Sequence, residues 1–151
     1  MKTKKILIVP APYYSDIISE MVKKVEEFLD VSDELYKVKV KHEFINAPGV
    51  FEIPVVISKH IKKYDGIIAL GCVIKGETPH FDYISKAAID GIMKLSIEYK
   101  KPIGNGIITC LNMDQAIKRS KKKGQEAAGA MLAVLCGTWP YNTAQEITQE
   151  L

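Results

Sequence analysis

The chain lacks any apolar run long enough to span a membrane. None of its stretches approaches the roughly 20 residues that a bilayer requires. No secretory leader is expected from its first residues. Met1-Lys-Thr-Lys-Lys5 is basic, but the apolar run from Ile6 to Ala11 is too short for an h-region and is broken by Pro10 and Pro12. Cysteine is scarce. Cys72, Cys110 and Cys136 are an odd number, without C-x-x-C or metal-ligand spacing, and all three lie in apolar segments. They read as buried free thiols of a protein kept in a reducing cytosol, not as disulfides, redox centres or metal ligands. Charge of one sign is not in excess: the net charge of +3 demands neither nucleic acid nor an anionic membrane as partner. Several chemical signatures are absent as well. There is no G-x-x-x-x-G-K-[ST], no G-x-G-x-x-G after the first strand, no H-E-x-x-H and no G-x-S-x-G, which argues against a nucleotide hydrolase, a dinucleotide enzyme, a zinc enzyme and a serine hydrolase. No internal repeat, low-complexity tract or linker divides the chain.

What is present is ordinary globular composition, 47% apolar and 26% charged, which with 151 residues fits one domain, 1–151, around one substantial core. Lys5 to Val9 is a continuous β-branched run suited to a strand buried on both faces. Ser15 and Asp16 are candidate caps for a helix to about Leu29, whose apolar residues Ile17, Ile18, Met21, Val22, Val25 and Leu29 recur at three- and four-residue spacing. From Tyr36 to Ile45 the residues Tyr36, Val38 and Val40 alternate with Lys37, Lys39 and Lys41, the pattern of a half-exposed strand near an edge. The turn Asn46-Ala-Pro-Gly49 leads to a helix over about Ile53–Lys62, with Pro54 in its first turn.

Gly66 to Ile74 is the most apolar stretch and predicts the central strand. A helix over Phe81 to Tyr99 comes next, with Ile84, Ala88, Ile92 and Leu95 on its buried stripe. Gly104 to Cys110 is a fourth strand. A helix starts near Asp114, and another runs from Gly124 to Cys136, where Ala127, Ala128, Gly129 and Ala130 allow close approach to the sheet. Beyond Gly137 no period remains, and Trp139 reads as a packing residue. Alternating strands and helices with short connections imply parallel strands. The expected fold is a three-layer α/β/α sandwich on a central parallel sheet of about four strands, flavodoxin-like.

Ligands bind open parallel sheets outside the carboxyl ends of the strands. Those ends carry Pro10-Ala-Pro-Tyr-Tyr14, Ala47-Pro-Gly-Val-Phe-Glu52, Lys75-Gly-Glu-Thr-Pro-His80 and Thr109-Cys-Leu-Asn112. Gly76 to His80 opens a helix, where free N–H groups make an anion site or simply a capped turn with Thr78 as cap and Pro79 in the first turn. His80 is the one histidine on this rim; His42 falls in the exposed second strand and His60 on a surface helix. Glu52 reads either as a carboxylate favoured by a helix start or as an acceptor for substrate hydroxyls. Tyr13 and Tyr14 suit either stacking on a flat ring or covering the end of the sheet. The run Lys118 to Lys123 is basic. Arg119 within it stands out, because it is the one arginine among the lysines and a guanidinium binds phosphate bidentately.

Pro48-Gly-Val-Phe-Glu-Ile-Pro54 and Gly76-Glu-Thr-Pro-His-Phe-Asp-Tyr83 closely resemble the signature loops of the lumazine synthases. Ala69-Leu-Gly-Cys-Val-Ile-Lys-Gly76 and Asn105-Gly-Ile-Ile-Thr109 fit the same family, and the likeness runs from about Lys5 to Cys136. The resemblance implies condensation of 5-amino-6-(ribitylamino)uracil with 3,4-dihydroxy-2-butanone 4-phosphate to 6,7-dimethyl-8-ribityllumazine and phosphate, the penultimate step of riboflavin biosynthesis, without metal or organic cofactor. Carried over by position, Tyr13 stacks on the pyrimidine ring, and Val50, Phe51 and Glu52 hold the ring and ribityl chain. Cys72, Val73, Ile74 and Asn105 are further substrate contacts. Gly76, Glu77 and Thr78 bind the phosphate, with Arg119 completing the clamp, and His80 moves protons. Lys123 matches a family lysine near the ribityl chain or phosphate, and Glu126 a nearby carboxylate.

The resemblance also implies a cytoplasmic homopentamer with sites between subunits, or a 60-subunit shell built of such pentamers. Three positions depart from the family pattern. Tyr13-Tyr14 stands where Phe-Asn is common, Asn105 replaces a phenylalanine given to the neighbouring subunit, and the stretch from Arg119 to Glu126 is short. The N-terminus leaves no room for the extra first strand of many members. Two other readings stay open: a non-catalytic flavin- or lumazine-binding assembly on the same scaffold, and a flavodoxin-like electron carrier. A signal receiver would want acidic residues at the first and third strand ends, which this chain does not supply.

Overall fold

The computed structural model describes residues 2–138, so Trp139 and the residues after it lie outside the described residues. Four strands form one all-parallel sheet: β1 (Thr3–Pro10), β2 (Lys39–Phe44), β3 (Gly66–Ile74) and β4 (Ile103–Cys110), in the order β2-β1-β3-β4. The five α-helices are α1 (Ser15–Tyr36), α2 (Ile53–His60), α3 (His80–Tyr99), α4 (Met113–Ser120) and α5 (Lys123–Cys136). Short 3₁₀ turns at Val50–Glu52 and Ile61–Lys63 flank α2.

The period-two pattern of the strands sorts the core into two halves. Ile6, Ile8, Ile68, Leu70, Cys72, Ile108 and Cys110 face α1, α4 and α5. Leu7, Val9, Ile67, Ala69 and Ile107 face α2 and α3 on the opposite side. The fold is therefore the expected three-layer α/β/α sandwich. The central strand falls at Gly66–Ile74, as its composition predicts, and its first seven residues are buried. No helix among the described residues is long and apolar enough to cross a membrane.

The structure corrects several expectations. α1 does not stop at Leu29 but runs on to Tyr36. Leu29, Ser32 and Tyr36 continue its buried face, the Ser32 hydroxyl donates to the Leu29 carbonyl at 2.8 Å, and the Tyr36 hydroxyl donates to the Gly129 carbonyl on α5 at 3.3 Å. Tyr36 is thus a helix residue, and β2 starts at Lys39. As expected, β2 is a half-exposed edge strand.

Neither Ser15 nor Asp16 caps α1: the N-cap is Tyr14, with no side-chain cap bond. Ala127, Ala128 and Gly129 are buried, but Ala130 is exposed. α5 approaches the sheet closely at Gly104, where a Cβ would lie 2.3 Å from the Ala127 carbonyl oxygen. Cys72 and Cys110 are buried, whereas Cys136 is only half-buried.

Candidate active site

The strand order places β2 on one side of β1 and β3 with β4 on the other, so the topological switch lies between β1 and β3. Their carboxyl ends open the crevice where an α/β sheet takes its ligand. The Pro10-to-Tyr14 loop leaves β1 there. Tyr13 is 80% exposed and meets the half-buried Tyr14 edge-on, with ring centroids 4.9 Å apart. Burial, and then the neighbouring Cys72 thiol, raise the Tyr14 pKa above its ordinary value.

The Val50–Glu52 turn is fixed to the sheet by Val50, which is buried over Gly71 of β3. That leaves Phe51 58% exposed at the rim. The Glu52 carboxylate folds back over Gly49, whose hypothetical Cβ would sit 3.5 Å from Oε1. Among the described residues Glu52 makes no ion pair.

The Lys75-to-His80 loop leaves β3 and is tied to β4 where the Lys75 N–H donates to the Cys110 carbonyl at 2.9 Å. Pro79, not Thr78, occupies the N-cap position of α3; the Thr78 hydroxyl accepts instead from the His80 N–H at 3.4 Å. A Cβ at Gly76 would meet nothing within 4 Å, so this stretch of main chain is open to an approaching group. His80 is exposed and begins α3.

Arg119 comes from the last turn of α4 and is the chain's one arginine. Its Nη1 donates to the Thr109 carbonyl at 2.7 Å and lies 3.9 Å from the Cys110 sulfur. Both acceptors are uncharged, and no carboxylate pairs with it among the described residues. The guanidinium is therefore held in place with its positive charge and other donors unspent. Below it, burial and the adjacent Cys110 thiol push the Cys72 pKa up to about 12, so Cys72 remains a neutral thiol. Tyr14, Cys72, Cys110 and Arg119 thus form a continuous floor from β1 to β4.

Lys123 and Glu126, in the first turn of α5, join Arg119, Lys118 and Lys122 around a concavity of about 360 Å³. The sequence isolated neither the Thr109 carbonyl nor Lys118 and Lys122. A main-chain acceptor leaves no mark in a sequence. Asn105 is not brought to this rim. It stands near the amino end of β4 opposite Ala69, and its Oδ1 accepts from the Ile107 N–H at 3.0 Å. Val73 and Ile74 end β3 half-buried, on opposite faces of the sheet. A separate groove of about 600 Å³ lies on the far flank of β1, between α1 and the end of β2. Glu26, Glu27 and Asp30 line it, which suits it poorly to a phosphate.

A family model described as 6,7-dimethyl-8-ribityllumazine synthase matches residues 3–137. Among curated relatives, the enzyme of that name from Rhodopseudomonas palustris is 39% identical over 142 residues, covering 87% of this chain and 83% of the relative. The one from Beijerinckia indica is 34% identical over 153 residues, covering 96% and 78%. The one from Desulfovibrio desulfuricans is 46% identical over 97 residues, covering 60% of this chain and 62% of that relative.

Proposed function

Because the chain belongs to the 6,7-dimethyl-8-ribityllumazine synthase family, we propose that it joins 5-amino-6-(ribitylamino)uracil to 3,4-dihydroxy-2-butanone 4-phosphate, giving 6,7-dimethyl-8-ribityllumazine, phosphate and water. The observation that carries this reading is Arg119. A cation anchored by neutral acceptors at the carboxyl rim is prepared for an anion that arrives with the substrate. The open main chain of Gly76, Glu77 and Thr78 would contact the same phosphate, as the exposed N–H groups at a helix start do.

The pyrimidine ring would lie against Tyr13, with Val50, Phe51 and Glu52 directing the ring and ribityl chain through main-chain groups and the carboxylate. Cys72, Val73 and Ile74 close the floor. The substrate amine is itself the nucleophile, so no activated serine or cysteine is needed. The amine attacks the butanone carbonyl, water leaves to form the imine, phosphate is expelled, and a second loss of water closes the ring. His80, exposed at the rim, would take and return the protons of these steps. Holding two reactants in register supplies much of the rate.

Exposed aromatics at Tyr13 and Phe51 make the rim of one chain an open surface. A site completed by a neighbouring copy in a cytosolic homopentamer fits that exposure, with Asn105 at the flank toward the neighbour and Lys123 and Glu126 beside Arg119 near the ribityl chain or phosphate.

The test is an assay with both substrates, following lumazine fluorescence above the spontaneous reaction. The expected result is a protein-dependent rate that falls at least tenfold in Arg119→Ala. A folded protein that binds lumazine but gives no rate above background overturns the catalytic reading in favour of a binding assembly.

A further inference from the structure

Little holds the Tyr13 ring in place. It is 80% exposed, and its side chain makes no hydrogen bond among the described residues. It meets the ring of Tyr14, with centroids 4.9 Å apart and planes inclined at 85°.

Tyr14 is fixed far better. The loop before it is tied down on both sides: the Ala11 N–H donates to the Leu70 carbonyl, and the Pro10 carbonyl accepts from the Ala47 N–H, each at 2.9 Å. The Tyr14 carbonyl then accepts from the Ile18 N–H at 3.0 Å as α1 begins. Its ring is half-buried against the core on the α1 side of the sheet. Its hydroxyl makes no hydrogen bond among the described residues, so packing of the ring is what fixes the side chain.

Two rings at right angles set the positive edge of one on the negative face of the other. Such a contact covers at most one face of Tyr13. The opposite face stays free for a flat ligand.

We infer that Tyr14 is a positioning residue, whose anchored ring holds the exposed Tyr13 ring in the orientation that receives the pyrimidine ring of the substrate. The inference rests on the proposed stacking role of Tyr13. A loose side chain must be ordered when the ligand arrives, and that ordering weakens binding. Tyr14 orders it beforehand. Tyr13-Tyr14 stands where Phe-Asn is common in the family, so this pairing of rings belongs to the present chain.

Two titrations of the full chain test it: 6,7-dimethyl-8-ribityllumazine followed by fluorescence, and inorganic phosphate followed by calorimetry. Tyr14→Leu should bind the lumazine about three- to tenfold more weakly, the worth of one edge-to-face pair, and phosphate as tightly as before. Tyr14→Phe, which keeps the ring, should bind both like the parent. In a Tyr13→Leu background, Tyr14→Leu should cost nothing more, because Tyr14 acts through Tyr13. An undiminished lumazine affinity in Tyr14→Leu overturns the inference. So does an equal loss for phosphate, which would mark a general loosening of the rim, or a full loss that persists without the Tyr13 ring. If Tyr13→Leu alone binds lumazine like the parent, the stacking role of Tyr13 fails and the inference goes with it, while a lumazine-forming rate would still stand. One measurement needs no variant: cross-relaxation between the Tyr13 and Tyr14 ring protons is expected in the NMR spectrum of the unaltered protein, and its absence removes the contact on which the positioning depends.

Discussion

Val50 occupies the space that Gly71 leaves open: a Cβ on Gly71 would lie 2.7 Å from Val50 Cγ2 and 3.3 Å from Ile53 Cδ1. This contact seats the Val50–Glu52 turn on β3, so the position of Phe51 and Glu52 depends on a missing side chain in the central strand. Gly71→Ala should overpack the junction and cost about 1–3 kcal/mol of stability. It should also lower turnover at temperatures where the variant is still folded, because the turn must lift. Thermal melts read beside the two-substrate assay check both effects. A variant with full activity and an unchanged midpoint would show that the turn is held by something other than this contact.

The left-handed residues Lys37 and Lys100 end α1 and α3 at φ 57° and 53°. Glycine is the usual residue there, because a Cβ in that region is strained. Lys37→Gly and Lys100→Gly should each stabilise the fold by roughly 1 kcal/mol, raising the melting midpoint by about 2–4 °C for a domain of this size. A lowered midpoint for Lys100→Gly would mean that the lysine side chain contributes more than its backbone costs.

These lysines also explain where the sequence misleads. A glycine after Tyr36 would have marked the end of α1. Lys37 sits instead within an alternation of Tyr36, Val38 and Val40 that reads as a strand, although Leu29, Ser32 and Tyr36 keep helical spacing. Gly66–Ile74 is legible because nine apolar residues between turn signals suit a buried strand and are short for a helix.

The rim is legible for a different reason. Parallel topology sends every strand's carboxyl end the same way, so the loops that leave those ends put Tyr13, Glu52 and His80 at the same end of the sheet without coordinates. The anchoring of Arg119 is not legible, since its partner is a main-chain carbonyl ten residues back on another element. Nor is the place of Asn105, which depends on strand register and on which way its amide turns.

The three thiols should differ in reactivity. Cys72 and Cys110 are buried, and burial with the Cys110 contact pushes the Cys72 pKa from an ordinary 9.0 up to about 12. The thiolate is the reactive form. At pH 8 a small alkylating reagent should therefore label Cys136 first, and Cys72 and Cys110 only at the rate of unfolding. Peptide mapping after timed labelling distinguishes them. The same shift sets an alkaline limit. A folded pKa above the unfolded one costs nothing below about pH 9, and stability is lost progressively as pH rises toward 12, where the unfolded chain ionises and the folded one does not. Cys72→Ala should flatten that part of the stability profile; an equally steep decline would place its cause elsewhere.

Arg119→Lys tests whether the rim needs a guanidinium or merely a cation. The native side chain spends one nitrogen on the Thr109 carbonyl, and no carboxylate pairs with it among the described residues. A lysine has a single ammonium group and cannot hold that carbonyl and also bind a phosphate bidentately. If it serves the carbonyl, the phosphate contact weakens; if it serves the phosphate, its position is no longer fixed. Either way KM for the butanone phosphate should rise about tenfold, the effect of losing roughly 1.4 kcal/mol, with a smaller change in KM for the ribitylaminouracil. Inorganic phosphate should weaken as an inhibitor by a similar factor. Equal rises in both KM values would point to general loosening of the rim, and an unchanged KM for the phosphate substrate would remove Arg119 from the anion site altogether.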